Sequence, residues 1–248
     1  ENLSANYVSM INVALQKAEA KKAVVDGADR KYKGETYTAM TTLAANVKAN
    51  IFNETAPSKY EAAAASVDDA VKAMQARMDT VDLYYTAMDT VTKALAAKAS
   101  YSAMEAYSKL NALKSQYNEY NCERYTSAQV SETAEILNAA VANLNDRIAK
   151  TDGFAALLES TKKTLDSTYV LFSEPKLEGK DLVEYDTLKQ TYEAAEAKKA
   201  ILNTLSDDEF FALYDGMVNL NTAYLFGMDA VVARTRQIRE LYALADSL

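Results

Sequence analysis

The densest acidic cluster in the sequence is Asp207-Asp208-Glu209. A pair of carboxylates at the right separation can hydrolyse a glycosidic bond. Here the three acids directly follow Ser206, and Ser206-Asp-Asp-Glu209 has the S/T-x-x-E spacing of a helix capping box. Acids in a first helical turn complement the helix dipole, so the group reads as a helix start rather than an acid–base pair. Cys122 is the single cysteine and the chain has no histidine. No internal disulfide can form, and a thiol nucleophile has no imidazole to activate it. Without histidine there is no His-dependent triad, no His-ligated zinc and no Glu-x-x-His di-iron site. The six glycines are scattered and build no phosphate loop, and no D-x-D-x-D-G calcium loop occurs. The expectation is a protein that is not an enzyme, with no catalytic residues, no metal and no cofactor.

Tyrosine is the enriched type that could serve recognition: 17 Tyr against no Trp. Its rigid, amphipathic ring suits contact with protein or sugar. The clusters are Tyr84-Tyr85 and Tyr117, Tyr120 and Tyr125. Tyr85 falls on an apolar helical stripe and is expected in the core. Tyr84 and Tyr120 fall off the stripes and are the candidate ligand-contact residues. Two further sequence features concern modification. Asp79-Thr80-Val81, Asp89-Thr90-Val91 and Asp186-Thr187-Leu188 resemble the O-glycosylation site of some exported bacterial proteins, and Asn53-Glu54-Thr55 is a formal N-glycosylation sequon.

Composition sets the elements that must position these residues. Six Gly and two Pro leave few turns for a β-protein, while Ala, Lys, Glu, Leu and Met favour helix. The net charge of −8 argues against nucleic acid as a partner, and Arg234, Arg236 and Arg239 read as a solvated helix face. No run of about 18 apolar residues exists, so no membrane span is expected. The first residue is Glu1 rather than Met, which is the start expected of a mature or trimmed product.

Three stretches share one design. Tyr125 to Ile148 opens with the box Thr126-x-x-Gln129 and carries Val130, Ala134, Leu137, Val141, Leu144 and Ile148. Ser58-x-x-Glu61 opens a second stretch with Val67, Val71, Met74 and Met78. Ser206-x-x-Glu209 opens a third with Phe210, Leu213, Met217, Leu220 and Tyr224. From Val67 to Met88 the apolar steps alternate 4 and 3, Val91 and Leu95 carry the stripe on, and no Gly or Pro occurs from Ser58 to Ala99, which reads as one helix of about 40 residues rather than two broken near Asp79 to Asp82. Other helices are expected over 3–26, ended by Asp26-Gly27, over 34–53, from Ser100 to Tyr117, over 181–203, and from Ser206 to about Ala245. A loop is expected at 118–125 and another at 173–180, with Pro175 and Gly179. Thr151-Asp152-Gly153 is expected to break or bend the path after a helix ending near Ala149. The shift that carries Val71 onto Val141 also brings Tyr37 onto Tyr107, Met40 onto Leu110, and Arg77-Met78 onto Arg147-Ile148. The expected fold is therefore all-α: an elongated array of three three-helix bundle units, 1–79, 80–150 and a diverged 151–248, the first two sharing a long helix.

Tyr125-Thr126-x-x-x-Val130 followed by Leu137-x-x-Ala140-Val141-x-x-Leu144 resembles the third helix of FIVAR repeats ("found in various architectures"), and Tyr107-x-x-Leu110 with Leu113 resembles their second. The resemblance is best over 80–150. It implies three-helix units, each about as long as the shift from Val71 to Val141, in bacterial cell-surface and secreted proteins, often adhesins or neighbours of carbohydrate-active domains. It supplies no catalytic residues. The expected function is a non-enzymatic extracellular or cell-surface module, a monomer that acts as a spacer or as an adhesion and binding segment for a protein or glycan ligand. The alternatives are an intracellular coiled-coil-like scaffold or regulator and, more remotely, an acidic-site carbohydrate-active enzyme.

Overall fold

The computed structural model describes residues 2–172 and 183–247. Among them every regular element is helical. The order is α1 (Asn2–Asp26), α2 (Glu35–Asn50), α3 (Pro57–Ala97), α4 (Glu105–Gln116), α5 (Asn121–Arg124), α6 (Ser127–Phe172), α7 (Val183–Lys198) and α8 (Asp207–Asp246). Short 3-10 turns follow α2, α3 and α7 at Ile51–Asn53, Ala99–Tyr101 and Lys199–Thr204. None of the helices with described residues is long and apolar enough to cross a membrane. The expected loop at 173–180 lies outside the described residues.

The chain divides into two compact units. The first comprises Glu1–Lys98 and Lys109–Ala142, the second Ala99–Ser108 and Asn143–Leu248. In the first, Ile11, Ala14, Leu15 and Ala18 of α1 pack with Ile51, Ala64 and Val67, and Leu43, Ala44 and Val47 of α2 cover them. In the second, Phe154 and Leu158 of α6 pack with Ala195 of α7, Leu202, Leu205, and Phe210 and Met217 of α8. A further layer joins Leu165, Leu188 and Tyr224. Most of the striped positions are thus core positions, since residues three and four apart share a helix face, while Val71, Leu213 and Leu220 are half-buried.

Helix α3 runs unbroken through Asp79 to Asp82, as its stripe requires. Its start differs from the expected box: the N-cap is Ala56, without a side-chain cap, and Pro57 occupies the first turn. Proline's fixed φ suits that position and its missing N–H is no loss there, which moves Ser58 inside the helix. The other two boxes form. Thr126 N–H donates to Gln129 Oε1 at 2.9 Å and Gln129 N–H to Thr126 Oγ1 at 3.3 Å. Ser206 and Glu209 close the same reciprocal pair.

The expected break at Thr151-Asp152-Gly153 is corrected: α6 continues through it to Phe172. Thr151 returns its hydroxyl to the Arg147 carbonyl at 2.8 Å, and Phe154 and Leu158 are buried directly afterwards. Burial on both sides outweighs the roughly 1 kcal/mol by which Gly disfavours a helix. The expected loop at 118–125 contains the short helix α5, and the expected helix start at Ser100 is a 3-10 turn ahead of α4. Gly27 does not end α1 in a left-handed conformation, because among the described residues only Gly34 has positive φ.

Candidate functional site

The two tyrosines singled out by sequence have opposite environments. Tyr84 is 2% exposed inside the first unit, so it is corrected from surface contact to core. Its ring meets Tyr85 edge-on at 5.9 Å, and its hydroxyl has no hydrogen-bond partner among the described residues. Burial pushes that hydroxyl well above the usual phenol range. Tyr85, expected in the core, is half-buried instead. The stripe through α3 is wider than one row, and Tyr84 takes the inner position with Val81, Ala87 and Val91.

Tyr120 is 56% exposed at the N-cap of α5. The Lys31 ammonium lies 5.6 Å from its ring centroid and the Arg30 guanidinium 5.2 Å from that of Tyr85. Lys31 N–H donates to the Tyr85 hydroxyl at 3.1 Å, and Tyr85 donates to Glu119 at 3.4 Å. Asp82 accepts from Arg30 at 2.5 Å and from the Tyr32 hydroxyl at 2.6 Å. Desolvation and then Asp82 raise the Tyr32 hydroxyl above its ordinary value. This part of the first unit offers aromatic faces, cations and carboxylates together, a combination suited to hydroxyl-rich or polar ligands. Asp82 and Glu119 are both engaged by neighbours, so neither stands as a bare acid–base group.

A cleft between α1 and α2 has a volume of about 270 Å³ and is lined by Leu15, Ala18, Thr41, Ala44 and the Glu19–Lys48 ion pair. That is below the roughly 300–1,000 Å³ typical of small-molecule pockets. Cys122 is buried, and desolvation pushes its thiol up to about 11, which leaves it an unreactive core residue.

The structure also assigns a role to two residues that sequence reasoning paired without explaining. Arg77 and Arg147, superposed by the shift that carries Val71 onto Val141, are both fully buried. Arg77 Nε donates to the Tyr32 carbonyl at 3.1 Å and its terminal nitrogens to the carbonyls of Lys33 (3.3 Å) and Cys122 and to Ser127 Oγ (3.3 Å). One guanidinium thereby fastens the α1–α2 connection, α5 and the first residue of α6 to α3. Arg147 donates to the Leu202 carbonyl at 2.6 Å and to Thr151 Oγ1 at 2.5 Å, lies 3.7 Å from Asp207, and stacks 3.3 Å over the Phe210 ring. It fastens the α7–α8 connection to α6. Burial lowers both guanidinium pKa values, opposed for Arg147 by Asp207. The planar five-donor fork of arginine suits several carbonyls at once, which a lysine point charge does not.

The duplication extends further. Tyr32 donates to Asp82, and Tyr101 donates to Asp152 at 2.9 Å. The shift that superposes the two arginines carries Asp82 onto Asp152 and Tyr32 onto Ser102, the immediate neighbour of Tyr101. Cys122 and Ser127, which bind Arg77, have the same spacing as Leu202 and Asp207, which contact Arg147. The available signal was an arginine beside the apolar stripe at the same place in two copies.

No family model matches this chain, nor does any curated protein or solved structure.

Proposed function

We propose that the chain is a non-enzymatic helical repeat module of a cell-surface or secreted protein, which spaces neighbouring parts and presents a face for a protein or glycan ligand. In this reading three three-helix units, 1–79, 80–150 and 151–248, follow one another as an elongated, FIVAR-like array that shares its long helices. The observation that carries it is the arginine junction, built twice, at Arg77 and at Arg147, from carbonyls of the segments that join neighbouring long helices. Duplicated polar chemistry used to fasten helix ends is what a spacer needs. Tyr120, with Arg30, Lys31 and Tyr85, is the ligand face of this reading.

Small-angle scattering at dilution tests the array. A compact 248-residue chain has a radius of gyration near about 18 Å, and the array should exceed that by roughly half. A monomer at the compact value overturns it. Glycan and extracellular-protein arrays probed with the chain test the ligand face. Retained binding by Tyr120→Ala on any hit would remove Tyr120 from the contact surface.

A further inference from the structure

The connection 27–34 and the segment 117–125 both belong to the first unit, and one buried side chain holds both. Arg77 donates to the carbonyls of Tyr32 and Lys33 in the first and of Cys122 in the second. The second is set further by its own turns. Tyr120 N–H donates to Asn118 Oδ1 at 3.0 Å, Cys122 N–H to the Glu119 carbonyl at 3.2 Å and Glu123 N–H to the Tyr120 carbonyl at 3.2 Å. The Tyr85 hydroxyl ties the two segments together, accepting from Lys31 N–H and donating to Glu119 Oε2. This frame carries Lys31, Glu119 and the exposed ring of Tyr120, with the Lys31 ammonium 5.6 Å from the ring centroid. The other two cations of the connection are neutralised, Arg30 by Asp82 and Lys33 by Asp26 at 2.9 Å. Among the described residues neither Lys31 nor Glu119 has an ion-pair partner, and the Tyr120 hydroxyl makes no hydrogen bond.

The geometry points to Tyr120, Lys31 and Glu119 as a binding site for a neutral pyranose with vicinal hydroxyls, carried in a glycan chain. The inference rests on the ligand-face reading above and names the ligand of that face. A phenol ring offers an apolar face to the C–H face of a pyranose, with a hydroxyl at its edge. A lysine ammonium only donates hydrogen bonds and a carboxylate only accepts them, whereas a hydroxyl does both. Two adjacent sugar hydroxyls can therefore accept from Lys31 and donate to Glu119 together. Bonds with one charged partner are stronger than neutral ones. Charge selects against the other sugars. A uronate or sulfated sugar gains at Lys31 and is repelled at Glu119, and the chain's net charge of −8 opposes the approach of any polyanion. An amino sugar meets the reverse, attracted at Glu119 and repelled at Lys31. Because Arg77 and Tyr85 already fix both segments, little conformational freedom is left to lose on binding.

The test titrates the whole chain, by isothermal calorimetry, with soluble neutral oligosaccharides of glucose, mannose, galactose and xylose, and with oligogalacturonate as the charged comparison. The expected result is binding of at least one neutral oligosaccharide, with an affinity that changes less than about twofold as salt is raised toward about 1 M. Tyr120→Ala should weaken that binding by at least about tenfold, while Tyr120→Phe, which keeps the ring, should retain most of it. Lys31→Met and Glu119→Gln should each weaken it by about threefold or more. Glutamine still offers Tyr85 an acceptor, so that variant keeps the frame. No binding of any neutral oligosaccharide at about 1 mM overturns the proposal. So does binding of oligogalacturonate alone, which would make the site an anion site. Unchanged affinity in both Lys31→Met and Glu119→Gln also overturns it. The ligand-face reading fails separately. A protein ligand lost with Tyr120→Ala, where no neutral sugar binds, overturns this inference and leaves that reading standing, whereas a bound sugar indifferent to Tyr120→Ala overturns both.

Discussion

Arg77 is a buried cation whose described hydrogen-bond acceptors are neutral oxygens. Desolvation lowers its pKa, opposed by Cys122 and by the Glu35 charge, while the hydrogen bonds go to neutral oxygens, so its removal leaves carbonyls without donors. A buried polar group left unsatisfied costs about 1–3 kcal/mol. Arg77→Ala should therefore lower unfolding free energy by at least about 3 kcal/mol in urea titrations, since several such groups lose their partner together. Arg77→Lys should recover less than half of that, because one ammonium cannot reach oxygens spread around a plane. Full recovery by lysine would show that charge alone matters. Gly34 belongs to the same construction. A Cβ there would lie 2.5 Å from an Arg77 nitrogen, so Gly34→Ala should cost about 1–3 kcal/mol. Cys122, whose carbonyl Arg77 holds, gives a pH signature. Its thiol is raised to about 11, above the ordinary 9.0, so the folded state keeps a proton that the unfolded state releases. That contribution is complete below about pH 9 and is lost as pH rises toward 11, by up to about 3 kcal/mol. Urea midpoints across that range should fall less steeply for Cys122→Ala. Parallel slopes would mean that Cys122 titrates normally.

At the scale of elements, α6 tests whether burial or local propensity decides. Nothing lies within 4 Å of a Cβ built on Gly153, and its φ is not positive. Gly153→Ala should therefore stabilise by roughly 0.5–1 kcal/mol. A loss would restore the bend that the sequence suggests. The N-termini of α6 and α3 form a second contrast. Thr126→Ala removes half of a closed reciprocal cap and should cost about 1 kcal/mol. Ser58→Ala should be nearly neutral, since Pro57 precedes it in the first turn. Equal costs at both positions would contradict the observed caps. These helices were legible because burial repeats every three and four residues in Val67, Met74, Met78 and Val81, as in Leu137, Leu144 and Ile148. Gly153 misled because propensity is a per-residue preference, while Phe154 and Leu158 gain from a helix continued far beyond it. Tyr84 and Tyr85 were interchanged because α3 meets neighbours over a band wider than one stripe. The repeated position of Arg77 and Arg147 is legible in the sequence, but their partners are not: which oxygens face Arg77 depends on connections 45 and 50 residues away.

At the scale of the molecule, the two units are not consecutive pieces of chain. Helix α6 gives 127–142 to the first and 143–172 to the second, and α4 is divided in the same way. Among the described residues each unit holds one buried arginine and its own core, and the whole chain carries a net charge of −8. A division inside an unbroken helix has a thermodynamic consequence. If the helix is one cooperative element, a break at the division should reach Arg77's neighbour Ser127 on one side and Arg147 on the other. Ala142→Pro places the break there. Proline removes an i→i−4 hydrogen bond and clashes with the preceding turn, at a cost of about 3 kcal/mol or more. The expected outcome is a loss of that size in both units, seen as faster hydrogen exchange in α1–α3 and in α7–α8 together. Confinement of the loss to one set would mean that α6 transmits nothing across 142–143 and that each unit is stable alone. Ala142→Gly supplies the graded control, since it weakens the helix by about 1 kcal/mol without removing a donor, and its effect should fall on the same amides in the same proportion.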